Sequence, residues 1–123
     1  MAKQKQHSSA LPTGEQVAKY DMLSKLFESV FAEVKTLSAK KPDEALNKFK
    51  VGAVNRILKD VKEMLSTQPT VGFLDLLDED SIPSNSDAVL ILSQYDAALD
   101  HFRESHYKWD GLENRWSTQE RPS

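Results

Sequence analysis

The chain contains no cysteine, which excludes disulfides, thiolate metal sites and thiol nucleophiles together. Its 4 glycines are isolated from one another, so it has no glycine-rich loop of the Walker or Rossmann kind to cradle a phosphate. No stretch approaches the roughly 18 consecutive apolar residues of a membrane span, and residues 1–12 hold no apolar run of the signal-peptide type. The expectation is a cytoplasmic protein with no membrane association. Net charge is only −3, so bulk electrostatics favour neither nucleic acid nor an anionic surface.

What is present is a chain of 123 residues, 39% hydrophobic and 28% charged, enough to bury one core without a metal or cross-link to staple it. The spacing of its apolar residues predicts an all-α fold, an antiparallel bundle of three long helices plus a short connecting helix. Residues 1–12 read as a flexible N-terminal tail, 13–111 as the helical bundle domain, and 112–123 as a polar C-terminal tail that either docks through Trp116 or stays mobile.

The first helix opens at Thr13, whose spacing to Gln16 matches a capping box. Tyr20, Leu23, Phe27, Val30, Val34 and Leu37 then recur at alternating steps of three and four, with Met22, Leu26 and Phe31 widening the stripe. Pro42 suits a first helical position, and Asp43 and Glu44 complement a helix N-terminus, so the second helix is expected to start there. Its core face is expected to carry Leu46, Phe49, Val54, Ile57, Leu58, Val61 and Leu65, with Asn55 on the polar side. The helix should stop before Pro69. Residues 70–83 suggest a short plug built on Val71, Phe73, Leu74, Leu76 and Leu77. The third helix is capped by Ser84, buries residues from Ala88 to Phe102, continues through His106 and Trp109, and ends at Asp110 and Gly111.

Candidate chemistry is sparse. His101 and His106 are five apart, turned about 140° from each other on a helix, and neither carries the glutamate three residues ahead that a ferritin-like site uses. His7 stands alone near the N-terminus. Asp75, Asp78, Glu79, Asp80 and Asp87 crowd the connection before the third helix, but an EF-hand loop read from Asp78 fails at Ile82 and Pro83. With no acid, base, nucleophile or ligand set assembled, the expectation is a non-enzyme with no cofactor and no metal.

Charge distribution says more. Residues 75–104 carry a net −7 and residues 40–62 a net +4. Asp96, Asp100 and Glu104 are spaced four apart and line one helical stripe, where each like-charge neighbour costs roughly 0.2–0.5 kcal/mol. Lys41, Lys48, Lys59 and Lys62 form the opposing basic face. One reading has these two faces covering each other as surface ion pairs. The other leaves the acidic stripe, together with Asp78, Glu79 and Asp80, open to steer a basic protein.

The leading expectation is a protein-binding module, a small acidic adaptor, inhibitor or assembly factor. The first alternative is a homodimer through the wide apolar face of the first helix. The second is nucleic-acid binding through the basic face, disfavoured because that face lacks base-reading arginines and interleaved aromatics.

Overall fold

The structure, a computed structural model, describes residues 11–122. It is mostly helical: α1 spans Gly14–Lys40, α2 Lys48–Met64 and α3 Asn85–His106, with a 3-10 turn at Pro69–Phe73 and a two-stranded sheet of β1, Tyr107–Trp109, and β2, Asn114–Trp116. Of the N-terminal tail expected over residues 1–12, residues 1–10, His7 included, lie outside the described residues.

The expected start of α1 holds in atomic detail. Thr13 Oγ1 accepts the Gln16 amide at 3.1 Å and Gln16 Oε1 accepts the Thr13 amide at 2.8 Å, satisfying two of the donors a helix N-terminus leaves unpaired. Ser84 likewise accepts the Asp87 amide at 3.1 Å at the head of α3.

The expected start of α2 at Pro42 does not. Residues 41–47 instead run as an irregular segment, and Asn47 caps α2 by accepting the Lys50 amide at 2.8 Å. The reason lies in α3, whose first amides need acceptors. Asn85 N–H donates to the Glu44 carbonyl at 2.8 Å and Ser86 N–H to the Pro42 carbonyl at 3.0 Å, while Leu46 N–H donates back to Pro83 at 2.9 Å. A helix beginning at Pro42 would withdraw those carbonyls and turn the buried Leu46 out of the core.

The core is built on α1. Tyr20 stacks on Phe102 at 5.4 Å and Phe27 on Tyr95 at 6.3 Å, so positions rising along α1 meet positions falling along α3. On its other side Gln16 Nε2 donates to the Met64 carbonyl at 3.0 Å and Glu33 pairs with Lys50 at 2.8 Å, again in opposite chain directions. Between α2 and α3 the chain lays down residues 74–83. Leu74 and Leu77 are buried there, whereas Phe73, expected in the plug, is 72% exposed. Phe49, expected on the core face, is 84% exposed, because at about 100° per residue it lies almost opposite the buried stripe of Val51, Val54, Leu58 and Val61.

Asn55 reverses the expectation of a solvated side chain. It is buried, its Oδ1 accepts the Leu77 amide at 2.9 Å, and its Nδ2 donates to the Leu77 carbonyl at 2.9 Å and to Glu79 at 3.2 Å. One amide side chain thus completes an internal backbone residue as a neighbouring strand would. Tyr95 adds a second tie, donating its hydroxyl to the Asp75 carbonyl at 2.8 Å. Gly52, by contrast, faces open space, with nothing within 4 Å of where a Cβ would stand.

The third helix ends earlier than expected. Asp110 and Gly111 serve a hairpin, with Gly111 at φ +107° and Asp110 Oδ1 accepting the Leu112 and Glu113 amides at 2.9 and 3.0 Å. Trp109, expected in the core, is 64% exposed in β1, while Trp116 in β2 packs on Tyr20, Phe102 and Tyr107. Packing therefore runs past Gly111: Ser117 and Thr118 are buried, and Gln119 donates its amide to the Pro12 carbonyl at 2.8 Å and its side chain to Leu11 at 2.9 Å. No helix among the described residues is long and apolar enough to cross a membrane.

Removing the Asn55 amide should leave both Leu77 backbone groups buried without partners, at about 1–3 kcal/mol each. Asn55→Ala is expected to lower unfolding stability by about 3 kcal/mol in urea titrations, whereas Lys59→Ala, exposed one turn on, should change it by less than about 0.5 kcal/mol.

Candidate functional site

The acidic residues singled out in the sequence fall into two separate groups. Asp96 is half-buried on α3, with Asp100 and Glu104 exposed in line beyond it. Their neighbours come from α1, not α2. The Asp96 carboxyl is pushed above the usual aspartate range first by burial and then by Asp100, with Glu28 adding to the shift and Lys35 opposing it. Tyr20 senses the same charges: burial raises its pKa, Arg103 lowers it, and Asp100, Asp21 and Glu28 raise it further. The charges of Glu28 on α1 and Asp100 on α3 thus act on both Tyr20 and Asp96, and Asp21 adjoins Tyr20 on the same flank, which we call the seam.

Helical geometry explains the convergence. Asp21 and Glu28 each follow a buried aromatic residue, Tyr20 and Phe27, and Asp96 follows Tyr95. A residue one step beyond a core position is turned about 100° to the flank. When two antiparallel helices meet through their aromatic stripes, those flanks fall on the same side. Two cations bound the seam and are themselves engaged: Lys35 Nζ sits 4.3 Å over the Phe31 ring and the Arg103 guanidinium 4.8 Å over Tyr107, contacts worth roughly 0.5–1 kcal/mol when exposed. Among the described residues, ion pairs within 4.0 Å join Lys41 to Glu44, Lys50 to Glu33 and Arg115 to Asp110, and none engages Asp21, Glu28, Asp96, Asp100 or Glu104.

Asp78, Glu79 and Asp80 are exposed but anchored elsewhere. Asp78 Oδ1 accepts the Asp80 and Ser81 amides, each at 2.8 Å, and these bonds hold its carboxyl below the usual range. Glu79 is bonded to Asn55 of α2. This acidic turn is thus a self-capped loop fastened to α2, while the seam belongs to α1 and α3.

The basic face is likewise divided. Lys41 lies in the segment before α2 and pairs with Glu44 at 3.6 Å. Lys48 and Lys62 share a line with Asn55, seven residues from each, and that line is crossed at its centre by residues 77–79. Lys48 and Lys59 are exposed and Lys62 is half-buried. Asn55, at the centre of this line, is bonded by the loop, and among the described residues no ion pair joins Lys41, Lys48, Lys59 or Lys62 to Asp96, Asp100 or Glu104, as the first of the two readings would have it.

His106 is buried, with Nε2 3.0 Å from Gln68 Oε1 and its ring edge-on to Phe102. His101 is exposed on the same helix. Among the described residues no group of three or more His, Asp or Glu side chains is placed to hold a metal ion. Neither a protein-family model, nor a curated protein, nor a solved structure matches this chain.

Burial holds the His106 pKa below its ordinary 6.5, with His101 and Lys108 adding to the shift. Below pH about 6.5 the unfolded chain binds a proton that the folded one resists, so stability is present above that pH and lost as pH falls towards the folded pKa. Urea midpoints of the wild type should drop between pH 7 and 5. His106→Gln should be less stable at pH 7, with a shallower fall over that interval.

Proposed function

We propose that this chain is a non-enzymatic protein-binding module in which an antiparallel three-helix bundle presents the α1–α3 acidic seam to a basic segment of another protein. The observation that carries the reading is that Asp21 and Glu28 of α1 and Asp96 and Asp100 of α3 fall on the same flank of the antiparallel aromatic contact, and none of them forms an ion pair among the described residues. Like charges gathered on one flank raise the free energy of the unbound protein. A partner supplying lysine or arginine relieves that repulsion, and the field of the seam accelerates its approach. Glu104 extends the acidic track along α3 by one further turn.

Such a surface suits a small adaptor, inhibitor or assembly factor that masks a basic target. A cytoplasmic location is part of the same proposal. The split basic face supports no comparable reading for nucleic acid, since its central line is occupied by the protein's own loop.

A lysine-rich decapeptide serves as the probe, titrated at low salt and followed by amide chemical shifts. Shifts should concentrate at Asp21, Glu28, Asp96 and Asp100 and fade as salt rises. Asp96→Lys with Asp100→Lys should weaken binding about tenfold, one half-buried and one exposed contact at roughly 0.7 kcal/mol each. Asp75→Lys with Asp80→Lys changes net charge equally but lies outside the seam and should leave affinity within about twofold. Equal losses from both double variants would reduce the seam to nonspecific charge and defeat the reading.

A further inference from the structure

Asp110–Gly111 is the one aspartyl–glycyl pair in the sequence, and it stands in the exposed turn that joins β1 to β2. Before a glycine, an aspartyl carboxyl carbon lies within reach of a backbone nitrogen that no following Cβ shields. The fold leaves that nitrogen available. The Gly111 amide makes no hydrogen bond among the described residues, and a Cβ placed on Gly111 would meet nothing within 4 Å, so the backbone there has room to turn. The Asp110 carboxylate, by contrast, is held at both oxygens: Oδ1 accepts the Leu112 and Glu113 amides at 2.9 and 3.0 Å, and Oδ2 accepts Arg115 Nε at 2.9 Å.

Asp80–Ser81 supplies an internal comparison. It too is an exposed turn with a small residue after the aspartate, but the Ser81 amide donates to Asp78 Oδ1 at 2.8 Å, which fixes that peptide plane. At Asp110 the arrangement is reversed: the nitrogen is free and the carboxyl is restrained. The restraint acts through charge. Closing a ring between the two groups expels a carboxyl oxygen as water and so needs the acid form, whereas the Glu113 and Leu112 amides, and after them Arg115, hold this carboxyl below the usual aspartate range.

We propose that Asp110 is a self-modification site, at which the Gly111 nitrogen closes on Asp110 Cγ and Arg115 acts as the brake on that closure. In the first step the N–Cγ bond forms, the amide proton and the carboxyl hydroxyl leave together as water, and a cyclic succinimide results. In the second, water adds to one of the two ring carbonyls. Opening at Cγ restores aspartate; opening at the backbone carbonyl leaves isoaspartate, with the main chain routed through Cβ and Cγ. Water alone is released and consumed, so no other reactant is needed. The lengthened main chain removes the acceptor placed for the Leu112 and Glu113 amides and disturbs the pairing of Lys108 with Arg115 and Trp109 with Asn114. Trp116, which β2 holds against Tyr20 and Phe102, is thereby loosened from the end of the bundle. The site belongs to the hairpin and is independent of the acidic seam.

The test is peptide mapping by mass spectrometry of the full chain aged in heavy-oxygen water at about pH 6, where some of the carboxyl is in its acid form. Folded chain and chain in concentrated urea are compared, with circular dichroism checking that each variant folds. Every ring opening leaves a heavy oxygen on the residue. In the folded wild type the label should appear at Asp110, with isoaspartate beside it, more slowly than in urea, while Asp80 stays unlabelled. Arg115→Ala should label Asp110 about threefold faster, the change expected from losing one ion pair near the surface. Asp110→Asn keeps the oxygen that accepts the Leu112 and Glu113 amides but removes the charge. Its ring closure expels ammonia and should run in the folded chain at close to the rate in urea. That variant decides the matter even if Arg115→Ala disturbs the C-terminal carbonyls Arg115 also holds. Folded wild type and folded Asp110→Asn that both stay unreacted, while both react in urea, overturn the proposal. So does Asp80 labelling as fast as Asp110, or a folded Arg115→Ala no faster than the wild type.

Discussion

The meeting of the aromatic stripes of α1 and α3 is the constraint on which the remaining structure depends. Tyr20 against Phe102 and Phe27 against Tyr95 set the two helices in a single register. Offset aromatic pairs of this kind contribute roughly 0.5–1.5 kcal/mol each beyond the area they bury. A slide of one turn would break both contacts and withdraw Tyr20 and Phe102 from Trp116. Because Tyr20, Phe27 and Tyr95 are each followed by a carboxylate, the packing that is favourable in the core forces unfavourable company on the flank. Asp21, Glu28 and Asp96 fall on one flank because their neighbours pack together.

The same constraint explains why the acidic turn and the seam are distinct. α3 is committed to α1, so the side of α2 that α1 does not cover needs another lid. Residues 74–83 supply it, and Asn55 and Tyr95 fasten it by backbone hydrogen bonds rather than by apolar contact alone. Asp78, Glu79 and Asp80 are carried to the surface by that lid. Their charges are local to α2, where they lie across the line of Lys48 and Lys62.

The sequence made legible whatever depends on residues close together along the chain. The cap at Thr13 and Gln16, the cap at Ser84, and the aromatic spacing of α1 and α3 all use contacts within about four residues. Features settled by distant partners were not legible. Pro42 and Asp43 carry good helix-start chemistry, but the carbonyls nearby are claimed by Asn85 and Ser86, more than forty residues away. Asn55 reads as polar surface until Leu77 folds over it. Asp110 and Gly111 fit a helix stop and a hairpin turn equally, and the choice between them is made by Trp116, which reaches Tyr20 only if the chain reverses. For the site, the α3 half, Asp96, Asp100 and Glu104, followed from four-residue spacing. Its α1 half, Asp21 and Glu28, required the register between helices, which one-dimensional periodicity does not contain.

The central claim is that carboxylates from two helices share one electrostatic environment, and carbon-detected NMR titration of the Asp96 carboxyl tests it most directly. Asp96 should titrate above the usual aspartate range in the wild type, and its midpoint should move down in Asp100→Asn and, by a smaller step, in Glu28→Gln on the opposite helix. An Asp96 that titrates in the ordinary range and ignores Glu28 would contradict the seam.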